Sequence, residues 1–292
     1  MATWERVQQN PTLYPQALQS GEGERLHWHR HADQPHSSQV FCVSAFGALR
    51  HLPVRDRIVG QLLGLPIVPT GDDTNWSIEL EVARPDLLSE YGRVQPSSVD
   101  ALLRTPQAVV CLEAKFLKDA EAGFGGCSQP TRDENGDIRC AGYYGPGSDL
   151  KTGTNAWCRL EVWDGDRSPR TYWTLGRAFF RETVFAKQVD GETCPFKGPN
   201  YQLMRNFLFA AALAQQQKLG SFGVVAIAPA RKSGKLDRQI ESFRTTILQP
   251  QFGSCVQLVT YERLIEFLRQ SGDVGAVALA AFLSSRIAAL IS

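Results

Sequence analysis

Apolar residues change their spacing several times along the chain, and each change marks a predicted element. Over 37–65, Val40, Val43, Phe46 and Leu49 recur three positions apart, and later Ile58 is followed four positions on by Leu62 and its neighbour Leu63, spacings that suggest one or two amphipathic helices. From Trp76 the period shortens to two. Trp76, Ile78, Leu80 and Val82 alternate with polar neighbours, which predicts a half-buried strand with Glu79 and Glu81 on its other face. Residues 97–104, the turn Thr105-Pro106-Gln107 and the β-former-rich run 108–116 then read as an antiparallel hairpin.

Further along, 201–218 is dense in strong helix formers, with Gly220 as the expected stop. A short apolar run at 222–228 has buried-strand character, and a strand at 256–260 leads into a helix at 261–269. The Ala-, Leu- and Val-rich stretch 274–291 is broken by Ser284, Ser285 and Arg286, so a buried C-terminal helix is predicted rather than a membrane span. Helices and strands in this order make an α/β sandwich. Gly, Pro and Asp punctuate 66–73, 123–153 and 190–199, which predicts loops or insertion edges. The expected organisation is an N-terminal extension at 1–36, then one domain at 37–292 carrying a Cys/Gly-rich insertion at about 119–199.

Composition narrows the class. Hydrophobic residues at 43% and charged residues at 21% suit a soluble globular chain and exclude a disordered or membrane composition. With 31 basic and 30 acidic residues the net charge is +1, so any nucleic-acid surface has to be local. Residues 1–20 lack the apolar stretch of a secretory signal, and a cytoplasmic protein with no membrane partner is expected. The chain has no Gly-x-x-x-x-Gly-Lys phosphate loop, no Gly-x-Gly-x-x-Gly dinucleotide loop and no Gly-x-Ser-x-Gly nucleophile elbow.

The hairpin holds the chemistry. Residues two apart on a strand share a face, so Glu113 and Lys115 project together, and the adjacent strand can set Asp100 beside them. Asp100, Glu113 and the Ala114 carbonyl form a partial oxygen shell of the kind that Mg²⁺ or Mn²⁺ takes, open to a phosphate. A lysine alongside can orient the attacking water, assist its deprotonation or stabilise transition-state charge.

Ser98-Val99-Asp100 followed by Cys111-Leu112-Glu113-Ala114-Lys115-Phe116 resembles the bipartite signature of the PD-(D/E)xK nuclease superfamily, with Val99 where proline is usual. The Ser37-Ser38-Gln39 helix start, the Ile78-Glu79-Leu80-Glu81 strand and the helix beginning Tyr201-Gln202-Leu203-Met204-Arg205-Asn206 flank it in an order similar to a bacterial restriction-endonuclease branch, over 37–228. The resemblance implies a restriction-endonuclease-like mixed β-sheet flanked by helices. It also implies metal-dependent hydrolysis of DNA, in restriction or defence, by Asp100, Glu113 and Lys115. Glu81 then matches a further acidic residue, against the alternative of a solvated strand face, and Gln202 matches a polar residue lining the same cleft. RNA stays open as a substrate, and a catalytically inactive nucleic-acid-binding or scaffold protein on the same fold is the alternative function.

Arg205, three residues beyond Gln202, suits either a phosphate contact or an ordinary surface ion pair. Lys118 and Lys232, with Arg231 and Lys235 nearby, suit a local DNA-backbone surface or a solvated loop. Cys127, Cys140, Cys158 and Cys194 cluster between the hairpin and the following helix, which suggests a structural Zn²⁺ site, although no C-x-x-C pair is present and separate thiols are the alternative. Cys42 and Cys111 sit in apolar segments as core residues. The tract His27-Trp28-His29-Arg30-His31 is expected to face solvent. A homodimer is expected by analogy, because cutting both strands of a duplex is commonly done by two paired sites.

Overall fold

The alternating run after Trp76 and the hairpin beyond it form three antiparallel strands: β1 (Ser77–Ala83), β2 (Ser98–Arg104) and β3 (Ala108–Ala114). In this computed structural model, which describes residues 1–64, 75–92, 96–127, 160, 170–185 and 194–291, two parallel strands complete the sheet. They are β4 (Ser221–Ala228) and β5 (Val256–Thr260), and the strand order is β1-β2-β3-β4-β5. Parallel neighbours need a crossover. The helix α7 (Asn200–Gln217) precedes β4, and α8 (Gly234–Ser242) lies between β4 and β5. The other helices are α1 (Trp4–Val7), α2 (Glu22–Arg25), α3 (Ser38–Cys42), α4 (Arg55–Leu63), α5 (Lys118–Ala122), α6 (Tyr172–Gly176), α9 (Tyr261–Gln270) and α10 (Val274–Ile291). This is the expected α/β fold, a mixed sheet flanked by helices, and it is compatible with a restriction-endonuclease-like domain.

β3 is buried along its whole length because helices cover both faces of the sheet. On one face Val110, Leu112 and Ala114 meet α3, α4, α9 and α10, and Phe41 stacks on Phe116 with ring centroids 3.9 Å apart. On the other, Val109 and Cys111 meet α7, where Phe207 joins an aromatic cluster with Phe179, Phe180, Phe222 and Phe252. Residues 1–36 belong to the first core: Val7, Ala17, Trp28 and Ala32 are buried there.

Several elements differ from their predicted form. The 37–65 segment starts as α3, capped by the Ser37 hydroxyl, which accepts from the Val40 N–H at 3.3 Å. It then widens into a π-helical turn at Val43–Gly47 before α4. α7 ends at Lys218, which takes the left-handed cap conformation (φ 56°) two residues before the expected stop at Gly220. β3 ends at Ala114, although the Lys115 N–H still donates to the Ile227 carbonyl at 2.8 Å and so holds its position beside the sheet. Only one face of α10 is buried, through Ala276, Leu279, Ala280 and Leu283, while Val274 and Val277 are exposed. Among the described residues no helix is long and apolar enough to cross a membrane.

The paired strands β1 and β2 share one irregularity. Ile78 and Leu80 pack into the first core but Val82 packs on the second; across the ladder, Ala101 and Leu103 face the first and Val99 the second. Both strands change faces where Glu81 lies opposite Asp100. Glu81 has φ 50°, a left-handed conformation that costs a non-glycine residue about 1 kcal/mol or more.

The aromatic core makes a direct prediction. Phe207→Ala, by removing a fully buried ring, should lower the unfolding free energy by about 3–5 kcal/mol. Urea denaturation measures this, and a loss below about 1 kcal/mol would be inconsistent with the packing.

Candidate active site

The C-terminal end of β3 delivers Glu113 and then Lys115 to the side of the sheet that α7 covers. Glu113 is buried at 5% exposure, and each of its carboxylate oxygens has a partner. Gln202 Nε2 donates to Oε1 at 2.5 Å, Asn206 Nδ2 donates to Oε2 at 2.7 Å, and Lys115 Nζ lies 3.1 Å from Oε1. Gln202 and Asn206 are one helical turn apart, so α7 presents both amides to one carboxylate. The Gln202 amide is itself fixed, because its Oε1 accepts from Lys115 Nζ at 2.9 Å and from the Gly125 N–H at 3.0 Å. Asp100, on β2, accepts from the Ala114 N–H at 2.7 Å through Oδ2, which locks it to the end of β3.

Glu81 completes the acidic group. Its side chain is 6% exposed, Oε2 is 4.0 Å from His29 Nε2, and Oε1 is buried with no hydrogen-bond partner among the described residues. Glu79, two residues earlier, is half-exposed and paired with Arg104. The alternating pattern had put Glu79 and Glu81 on the same polar face; the turn at Glu81 separates them.

Electrostatics reflect the crowding. Burial, reinforced by the charge of Asp100, pushes the Glu81 carboxyl up to about 9, with the Gln39 side chain opposing. Burial and then the charge of Glu113 push Asp100 up to about 8, against the stabilising Ala114 N–H. Burial alone would lower Lys115, but the charges of Glu113 and Asp100 reverse this and raise it above its ordinary value. Lys115 is thereby held as an ammonium, with its Nζ 5.7 Å from the centre of the Phe124 ring.

These groups open on a cleft of about 490 Å³, whose lining includes Asp100, Glu113, Lys115, Gln202, Arg205 and Lys118. The structure thus brings together Asp100, Glu113, Lys115 and Gln202, with Glu81 beside Asp100, and sets Arg205 and Lys118 on the rim. Lys232 is not among the lining residues and is paired with Glu121 instead. Three participants were not assigned to this site from the sequence. Asn206 follows Gln202 at helical spacing, which is a legible signal. Gln39 and His29 come from segments distant in sequence, and His29, expected simply in solvent, stands at the mouth of the cleft.

A family model described as "Restriction Endonuclease associating with ARP" matches residues 4–286, nearly the whole chain. The chain belongs to the REase-ARP family. No curated protein and no solved structure is matched by the chain. The REase-ARP match includes residues 4–36, consistent with their place in the first core.

In this REase-ARP chain the expected zinc ligands are only partly placed. Cys127 and Cys194 come from neighbouring segments, joined where the Cys127 N–H donates to the Phe196 carbonyl at 3.2 Å, while Cys140 and Cys158 lie outside the described residues. Among the described residues no three His, Cys, Asp or Glu side chains form a metal-holding group.

The raised carboxyls predict a pH dependence. Asp100 and Glu81 have ordinary values of 3.8 and 4.5, so between there and about 8 or 9 the folded chain holds more protons than the unfolded one. Their contribution to stability is full below that window and declines as pH rises through it. In the presence of a chelator, Asp100→Asn should raise the melting temperature near pH 8, because the amide avoids the penalty of ionising a buried carboxyl, and have little effect near pH 4. Thermal melts of both proteins across this range check it; an equal shift at both ends would contradict the electrostatic cause.

Proposed function

We propose that the chain is a metal-dependent endonuclease of PD-(D/E)xK type that hydrolyses DNA phosphodiester bonds in restriction or defence. The observation that carries this reading is the convergence of Asp100, Glu113 and Lys115 on one cleft at the end of β3. Membership of a restriction-endonuclease-like family supports it.

The donor set suits a hard divalent cation. Glu81, Asp100 and Glu113 gather three carboxyl groups around Lys115, the raised values of Glu81 and Asp100 express the cost of ionising them together without a cation, and Glu81 Oε1 is a buried oxygen without a hydrogen-bond partner among the described residues. Asp100 and Glu113, with the Ala114 carbonyl, would hold Mg²⁺ or Mn²⁺. When bound, the ion supplies Lewis acidity toward the phosphoryl oxygens and lowers the pKa of water at the site.

The chain's own groups do the positioning. Gln202 and Asn206 fix both oxygens of Glu113, and Gln202 at the same time aims Lys115. Lys115, hydrogen-bonded to Gln202 and beside Glu113, is positioned to donate to the attacking water or to a phosphoryl oxygen as charge grows there. Arg205 and Lys118 are the rim cations available to flanking phosphates. Cleavage of both strands would pair two copies as a symmetric dimer.

With Mg²⁺ or Mn²⁺ present, supercoiled plasmid DNA should be nicked or linearised by the wild type and not in EDTA. Glu113→Gln and Lys115→Ala should each lower the rate about 100-fold or more. No cleavage of DNA or RNA by well-folded wild type would favour the inactive nucleic-acid-binding alternative.

A further inference from the structure

The floor of the cleft is acidic, so the attraction that holds a polyanion must come from its rim. Arg205 of α7 and Lys118 of α5 line the cleft, and the remaining cationic or imidazole groups outside the floor come from one N-terminal stretch: His29, Arg30, His31 and His36.

This stretch is a built wall. The buried Trp28 ring stacks on Trp4 at 5.7 Å, and its Nε1 donates to the Gly23 carbonyl at 2.7 Å. Gln39, 4% exposed, grips the backbone on either side of that tryptophan: its Oε1 accepts from the His29 N–H and its Nε2 donates to the His27 carbonyl, both at 2.8 Å. Asn10, 3% exposed, donates through Nδ2 to the carbonyls of Ala32 and Gln34, again at 2.8 Å. Between these clamps Arg30 and His31 are exposed, His36 is half-buried, and all three line the cleft. Arg30 has no carboxylate partner among the described residues. Asp119, the acid on the same rim, is tied to the Ser38 hydroxyl.

We infer that residues 27–36 are a DNA-backbone-binding wall, in which Arg30, His31 and His36 take phosphates flanking the one presented to the acidic floor. The inference rests on the proposed nuclease reading and adds the element that holds the substrate. Three clamps keep the wall's backbone ordered before DNA arrives, so binding does not have to order it. A guanidinium and two imidazole N–H groups suit phosphate oxygens and carry no base readout on their own.

The test is fluorescence anisotropy of a labelled duplex DNA across a salt series, in a Glu113→Gln background that prevents cleavage. It compares that protein with the same protein carrying Arg30→Ala, and with Arg30→Ala, His31→Ala and His36→Ala together. Arg30 and His31 are exposed and His36 is half-buried, so melting temperatures should stay close, and circular dichroism verifies that each variant is folded. Arg30→Ala should weaken binding about tenfold. It should also reduce the slope of log affinity against log salt by about 0.9, the signature of one lost phosphate contact. The triple variant should bind more weakly still. Unchanged affinity and slope in the triple variant would overturn the wall while leaving the nuclease site standing. Absence of DNA binding by the parent protein, with plasmid cleavage by the wild type also absent, would overturn both.

Discussion

Carboxylates brought together away from water repel one another, and the fold is arranged to hold Glu81, Asp100 and Glu113 side by side with Lys115 as the one ammonium among them. Each acid is held by a different part of the chain. The end of β3 gives Asp100 a backbone N–H, α7 gives Glu113 two amides, and the left-handed backbone of Glu81 itself turns its side chain inward. α7 must then be anchored where it begins. Buried Glu90 accepts from the Ser97 N–H, the Ser97 hydroxyl and the Tyr172 hydroxyl, and Arg170 donates to the hydroxyls of Tyr172 and Tyr201. This network links the start of β2 with the start of α7, the two elements whose next residues carry Asp100 and Gln202.

Such an arrangement is unfavourable for folding unless a cation offsets it. Buried polar groups without partners cost free energy, and like charges in low dielectric add to that cost. Placing this cluster at the floor of an open cleft, under a rim of Arg30, Lys118 and Arg205, separates two tasks. In the proposed reading the floor holds a hard metal ion and the rim a phosphodiester backbone.

The strands and long helices were legible because their periodicity is local. β1, the β2–β3 hairpin, α7, β4, β5 and α9 all lie within a few residues of where the hydrophobic pattern placed them. Asp100, Glu113 and Lys115 could be read as neighbours because strand pairing and the two-residue repeat dictate it. Glu81 was harder: strict alternation puts it outside with Glu79, and the backbone reversal that buries it leaves no mark in residue type. Lys218 likewise serves as a left-handed cap where glycine would be expected. The histidine tract was legible as a polar segment but not as a cleft wall, because its position depends on Asn10, Trp28 and Gln39 meeting it through contacts the sequence pattern does not encode.

The central claim is that Asp100 and Glu113 form a divalent-cation site. The most direct measurement is a calorimetric titration of Mn²⁺ into the wild type, Asp100→Asn and Glu113→Gln near neutral pH. The account predicts saturable binding to the wild type that is lost in each variant. Failure of the wild type to bind Mn²⁺, or undiminished binding in both variants, would contradict it.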